Sequence, residues 1–208
     1  GRWLEQSLSF FPLDTGRQQW SAWAVIPLSA RAGLTTAELD ATFIDGAAVH
    51  LESPIAIKAK RFPEERLTVA PKFVDPPQGI QQRLAREQEF LATIYTRRST
   101  PVSRPQAFVR PVPGESNSVF GKRRFFNGKP RDPHPGIDLR AASGTPVRCS
   151  ADGTVVVARD LYYSGNTVIV DHGGGLFTLY AHLSRIDVSE NAAIAAAAPS
   201  ATTAARAA

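Results

Sequence analysis

Residues 166–183, NTVIVDHGGGLFTLYAHL, set two runs of β-branched and aromatic residues on either side of three consecutive glycines. Such side chains fit a pleated, half-buried surface, and glycine reverses the chain at no steric cost, so the stretch predicts a β-hairpin. Sixteen prolines and fifteen glycines are spread along the 208 residues instead of gathered in one tract. That distribution favours many short elements joined by tight turns, as in mainly β proteins. With 43% hydrophobic residues the chain can bury a core, and disorder is not its default state.

From Leu8 to about Val69, short apolar runs alternate with turn residues: LSFFPL, WSAWAVIPL, ELDATFID, AAVHLES and PIAIKAK. In ELDATFID, Leu39, Ala41 and Phe43 fall on one face while Asp40 and Thr42 fall on the other, as in a half-buried strand. Five such runs predict an antiparallel, Ig-like β-sandwich over residues 1–70, in which His50 is an ordinary strand residue without a nearby partner. FVDPPQGIQQRLAREQEFLATIYTRR changes the period. Asp75 can cap, Pro76 can occupy the first turn, and Ile80, Leu84, Leu91 and Ile94 recur at helical spacing, which predicts an amphipathic helix ending near Arg98. With the proline-bearing linker STPVSRPQ it forms a helical connector over 71–105. Residues 106–190 read as an antiparallel β domain. Residues 191–208, NAAIAAAAPSATTAARAA, read as a low-complexity tail whose alanines favour a short or frayed helix.

A net charge of +5 and a pI of about 9.7 favour anionic surroundings, whether nucleic acid, acidic lipid or acidic wall polymer, without choosing among them. The densest basic run, KRR at 122–124, is flanked by Phe120, Phe125 and Phe126. Basic and aromatic residues together can stack on bases, but a solvated loop with its phenylalanines turned into a core is the preferred reading, so no nucleic-acid partner is expected. No apolar run approaches bilayer length, so no membrane span is expected, and GRWLEQSLSFF has neither the basic start nor the cleavage site of a signal peptide. The single Cys149 cannot form an intrachain disulfide and suits a small buried position. The glycines of HGGGL are not accompanied by Gly-x-Ser-x-Gly, and the chain has no Walker loop and no dinucleotide fingerprint, so serine-hydrolase and nucleotide-binding readings fall away.

In DPHPGIDL, residues 132–139, His134 and Asp138 stand four positions apart, and Pro133, Pro135 and Gly136 break any helix between them. The pair lies on a loop running into a strand, either as a turn or as part of a metal site. In LFTLYAHL, alternation puts Phe177, Leu179 and Ala181 on one face, with Thr178, Tyr180 and His182 on the other. Tyr180 and His182 would then flank one groove. His134, Asp138 and His182 converge if that face looks toward the His134 loop, which spacing alone does not establish. His172 reads as a turn histidine bonded locally.

The stretch HPGIDLRAASGTPVRCSADGTVVVARDLYYSGNTVIVDHGGGLFTLYAHLSRI resembles the core of the M23, or lysostaphin-like, zinc metallopeptidases. The resemblance runs from about Phe108 to Glu190 and includes, in order, His-x-x-x-Asp, Gly-x-Pro-Val, Ala-x-Gly-x-Val, Gly-Asn-x-Val, Asp-His-Gly and Tyr-x-His-Leu. It implies a lysostaphin-like antiparallel sheet, an exported protein of the periplasm or cell envelope, and cleavage of peptide bonds in bacterial peptidoglycan. By the same resemblance His134 and Asp138 would bind Zn²⁺, and His182 would be a catalytic histidine that deprotonates water or holds charge on the tetrahedral intermediate. No separate organic cofactor is implied. The family completes its site with a downstream His-x-His, which on the family's spacing would fall at or just beyond Ala208 and is not found in this sequence. A fragment or altered end of a full peptidase is the preferred explanation; a non-catalytic wall-binding or hydrolase-regulating relative, or ligands from another chain, are the alternatives.

Overall fold

The structure, a computed structural model, describes the chain apart from residues 5, 9, 13–15, 17, 18, 44, 72, 73, 75, 101–107, 117 and 204–208 and the side chains of 200–203. The expected cap Asp75 and most of the linker lie outside the described residues. The chain divides into two units, Gly1–Pro63 and Glu64–Ala208. Both are built mainly of β-strands, with a single helix in the second among the described residues.

The first unit contains β1 (Arg2–Trp3), β2 (Gln6–Ser7), β3 (Phe10–Pro12), β4 (Trp20–Ala22), β5 (Gly33–Thr42) and β6 (Ala48–Ile57). These pair as a four-stranded sheet in the order β2-β1-β5-β6 and a separate β3-β4 ribbon. AAVHLES and PIAIKAK, expected as two strands, are one: β6 runs unbroken through Pro54. It can do so because β6 lies at the sheet edge, where a residue without an N–H need not lose a ladder bond. The β5–β6 hairpin turns through Gly46 at φ 86°, a left-handed conformation that favours glycine. Half-buried Thr35, Ala37, Leu39 and Ala41 alternate with exposed neighbours, as the period-2 pattern predicts. His50 corrects the expectation that it has no partner. The register sets it opposite Asp40, its Nδ1 is 2.7 Å from Asp40 Oδ1, and these hydrogen bonds to Asp40 and then Glu52 raise its pKa above the ordinary histidine value.

The second unit contains β7 (Glu64–Leu67), α1 (Gln78–Tyr95), β8 (Arg123–Phe126), β9 (Lys129–Arg131), β10 (Pro146–Arg148), β11 (Gly153–Leu161), β12 (Gly165–Gly173), β13 (Leu176–Ile186), β14 (Ala193–Ile194) and β15 (Pro199–Thr203). Its main sheet is antiparallel, in the order β10-β15-β13-β12-β11-β14. The predicted hairpin is the β12–β13 pair. Central strand β12 is buried on both faces: Val168 and Val170 enter a cluster with Val155, Cys149, Tyr180 and Leu183, while Ile169 between them packs with Ile94, Val156 and Val157. Helix α1 therefore covers one face of the hairpin through Phe90, Leu91 and Ile94, of which Leu91 and Ile94 belong to the stripe read from helical spacing. Polar ties fix the same contact: Arg83 reaches Asp160 at 2.7 Å, and Glu87 accepts the Tyr162 N–H at 2.9 Å.

The tail differs from its expected helix. Residues 193–194 and 199–203 are strands, and β15 lies between β10 and β13. Alanine's helix preference is worth only some tenths of a kcal/mol per residue over most others. The flanking strands present backbone donors and acceptors in need of partners, and Cys149 exchanges two 2.9 Å bonds with Ala197 and Ala198.

The KRR run is also resolved. It is no solvated loop: Arg123 and Arg124 open β8, which lies parallel to β7. Lys122 and Arg124 both bind Glu65, at 2.9 and 3.3 Å, and Arg123 reaches Glu64 at 3.2 Å. The run's three charges are thus met within the unit.

Candidate metal centre

The loop carrying His134 is held by backbone bonds on both sides: His134 N–H donates to Lys122 O at 2.9 Å, and Gly121 N–H donates to His134 O at 2.8 Å. The same anchoring buries the imidazole, whose side chain is only 9% exposed. Burial, and next the nearby Arg124 guanidinium, push its pKa below the ordinary histidine value, against the opposing pull of Asp138 and Glu65. That direction favours the neutral ring, in which one nitrogen carries a lone pair. His134 Nε2 faces Asp138 Oδ1 at 3.5 Å, longer than the roughly 2.7–3.2 Å of a formed N–H···O bond. Two donors each about 2.0–2.2 Å from a tetrahedral zinc ion stand about 3.4 Å apart, so this pair has the bite of two zinc ligands. The donor set, one neutral imidazole and one carboxylate, also suits that ion. Arg124 Nη2 lies 4.0 Å from Asp138 Oδ2 and is itself tied to Glu65.

Among the described residues no group of three or more His, Cys, Asp or Glu side chains is poised to hold a metal ion, so neither His182 nor His172 joins the pair as a third donor. His182 is exposed and stands in a β-bulge of β13 at φ 56°, its N–H donating to Ser164 O at 2.8 Å. The extra residue shifts the pairing between Val168↔Tyr180 and Asn166↔Leu183. It also breaks the alternation that put Tyr180 and His182 in one groove. Tyr180 and Leu183, three positions apart, both enter the core, whereas His182 is left outside it.

Tyr180 is instead a buried anchor. Its hydroxyl accepts the Ser150 N–H at 2.7 Å and meets Thr178 Oγ1 at 3.0 Å, and burial raises its pKa above the ordinary phenol range. Replacing it with phenylalanine leaves the buried Ser150 N–H without that acceptor. We expect Tyr180→Phe to cost about 1–3 kcal/mol in urea unfolding without altering metal binding. His172, expected to bond locally, is 2% exposed and bonds across the fold, to Asp152 O at 2.7 Å and Thr178 Oγ1 at 2.8 Å. It is a satisfied core histidine. Gly153 sits against it so closely that a Cβ there would meet Asp171 O at 2.5 Å and His172 Nδ1 at 2.9 Å.

Residues 132–207 match the profile of peptidase family M23. The chain carries an M23 segment. That segment contains His134, Asp138, His182 and the described part of the alanine-rich tail. Over 75 residues, 36% of its length, the chain is 43% identical to the peptidoglycan DD-endopeptidase ShyA of Vibrio cholerae, and over 57 residues, 27% of its length, 47% identical to the DD-carboxypeptidase/endopeptidase Mpg of Neisseria meningitidis. The chain spans only 17% and 13% of the lengths of those two relatives. A crystal structure of a Pseudomonas aeruginosa protein assigned to peptidase M23 superposes with a TM-score of 0.70 at 24% identity, covering 97% of this chain and 73% of that one; this likeness is one of fold. The M23 segment thus begins at the loop of the His134–Asp138 pair and runs through the hairpin to β15.

What sequence reasoning missed is Ser118. Its Oγ accepts the Asp138 N–H at 2.7 Å and lies 3.4 Å from His134 Nδ1. A lone serine sixteen residues before the histidine gives no periodic or motif signal. Only the fold brings it to the pair.

Proposed function

We propose that the M23 segment belongs to a zinc-dependent endopeptidase that hydrolyses peptide bonds of bacterial peptidoglycan in the periplasm or cell envelope. His134 and Asp138 would hold the metal, and His182 would be the catalytic histidine. The observation that carries this reading is the His134 Nε2–Asp138 Oδ1 separation of 3.5 Å, with His134 buried. The names of the two relatives above support peptidoglycan peptides as the substrate, and a net charge of +5 suits an anionic wall polymer. No described helix is long and apolar enough to cross a membrane.

The chemistry zinc supplies when bound is Lewis-acid polarisation of a water and of the scissile carbonyl. The chain's own residues do the rest. Burial keeps the His134 lone pair available for binding, and Asp138 brings the negative charge that favours a divalent ion. His182, free of the core, can take a proton from the attacking water or hold charge on the tetrahedral intermediate. A hydrolytic zinc site uses three protein donors, and the described residues offer two. We therefore propose that this chain by itself holds zinc weakly and hydrolyses slowly or not at all.

Zinc content by atomic emission, together with peptide release from purified sacculi, tests the reading. The expected result is one zinc per chain at saturating metal, with any release of soluble peptide lost on chelation and restored by zinc. Retention on sacculi by a protein that takes up no metal is the contrary result. It would favour a non-catalytic wall-binding or hydrolase-regulating module.

A further inference from the structure

We infer that Ser118 is a positioning residue for the His134–Asp138 pair, its one hydroxyl oxygen setting both the backbone of the carboxylate and the ring of the imidazole. The inference rests on the metal-binding reading above. Beside the pair, Arg140 N–H donates to Glu115 O at 2.9 Å, and Ser116 makes an antiparallel bridge to Leu139. At Asp138 the acceptor is not a backbone carbonyl but Ser118 Oγ, at 2.7 Å. Ser116 braces that serine in turn, its own hydroxyl donating to Ser118 O at 2.6 Å.

A serine oxygen has two lone pairs, so one that accepts the Asp138 N–H can accept a second donor. His134 Nδ1 lies 3.4 Å from it, a long contact at which the ring N–H can donate weakly. A proton on Nδ1 leaves the Nε2 lone pair toward Asp138 Oδ1, the tautomer that a metal ligand needs. Ser118 thus couples ring orientation to carboxylate position through one atom.

Ser118→Ala and Ser118→Thr, made in this chain, test the inference with Zn²⁺ alone as probe, read by calorimetry, and with the ¹⁵N shifts of the His134 ring in metal-free protein. The wild type should carry its ring proton on Nδ1. Ser118→Ala should lower zinc affinity about tenfold or more and mix the tautomers, and Ser118→Thr, which keeps the oxygen, should restore both. Unchanged affinity and tautomer in the alanine variant overturn the inference, as does a threonine variant no better than alanine. Should the alanine variant not fold, a wild-type ring proton found on Nε2 overturns it equally, and one on Nδ1 that the threonine variant preserves supports it. A wild type that takes up no zinc, or a His134→Ala variant that binds it as well, removes the metal reading and this inference with it. Zinc held through His134 but indifferent to Ser118 removes this inference alone.

Discussion

Asp138→Ala is expected to lower zinc affinity by more than about a hundredfold while leaving the melting temperature nearly unchanged. Groups that merely orient a metal ligand commonly contribute ten- to a hundredfold in affinity, and Asp138 is proposed as a ligand itself. Its loss removes one of two donors and the only carboxylate of the pair. Folding should tolerate the change, because Asp138 is partly exposed and Arg124, which stands 4.0 Å from it, keeps its pairing with Glu65. His134→Ala should lose affinity similarly. The wild-type pH profile carries a sign as well: the buried imidazole stays neutral below the ordinary histidine pKa of 6.5, so zinc binding should persist below that pH before protonation displaces the ion. Calorimetric titrations of wild type and both variants across pH measure all of this together.

The largest effect on stability is expected at Ile94. It is 1% exposed, the buried residue of α1, and it packs on Val156, Val157 and Ile169 in the middle of the sheet. Ile94→Ala removes three carbons from a close-packed place and should cost about 2–5 kcal/mol, read as a lower midpoint in chemical denaturation followed by circular dichroism. Leu84, on the same helix but only half-buried, should cost less when replaced with alanine. Equal effects at the two positions would mean that α1 is not seated through Ile94.

Elements whose side chains obey one period were legible in the sequence. The hairpin over 166–183 and the stripe Leu91–Ile94 both rest on uninterrupted patterns, and both are found. The bulge at His182 was not legible, since alternation assumes that each residue advances the ladder by one, and nothing in LFTLYAHL marks the extra residue. Alanine-rich 191–203 was misread for a related reason. Local preference pointed to helix, while the demand of neighbouring strand edges for hydrogen-bond partners, a property of the whole fold, decided for strand. At the candidate site the His134–Asp138 spacing was visible, but the burial of His134, the separation of the pair and the serine between them arise from contacts distant in the chain, those of Ser118 being sixteen and twenty residues apart. His50 shows the same limit, because its partner Asp40 is set by hairpin register, not by adjacency.

Crystals grown with excess zinc and measured at the zinc absorption edge address the two-ligand centre most directly. An anomalous peak about 2.0–2.2 Å from both His134 Nε2 and Asp138 Oδ1 is the predicted result. Fully soaked crystals with no peak between those atoms, or with the two side chains turned apart, would contradict it.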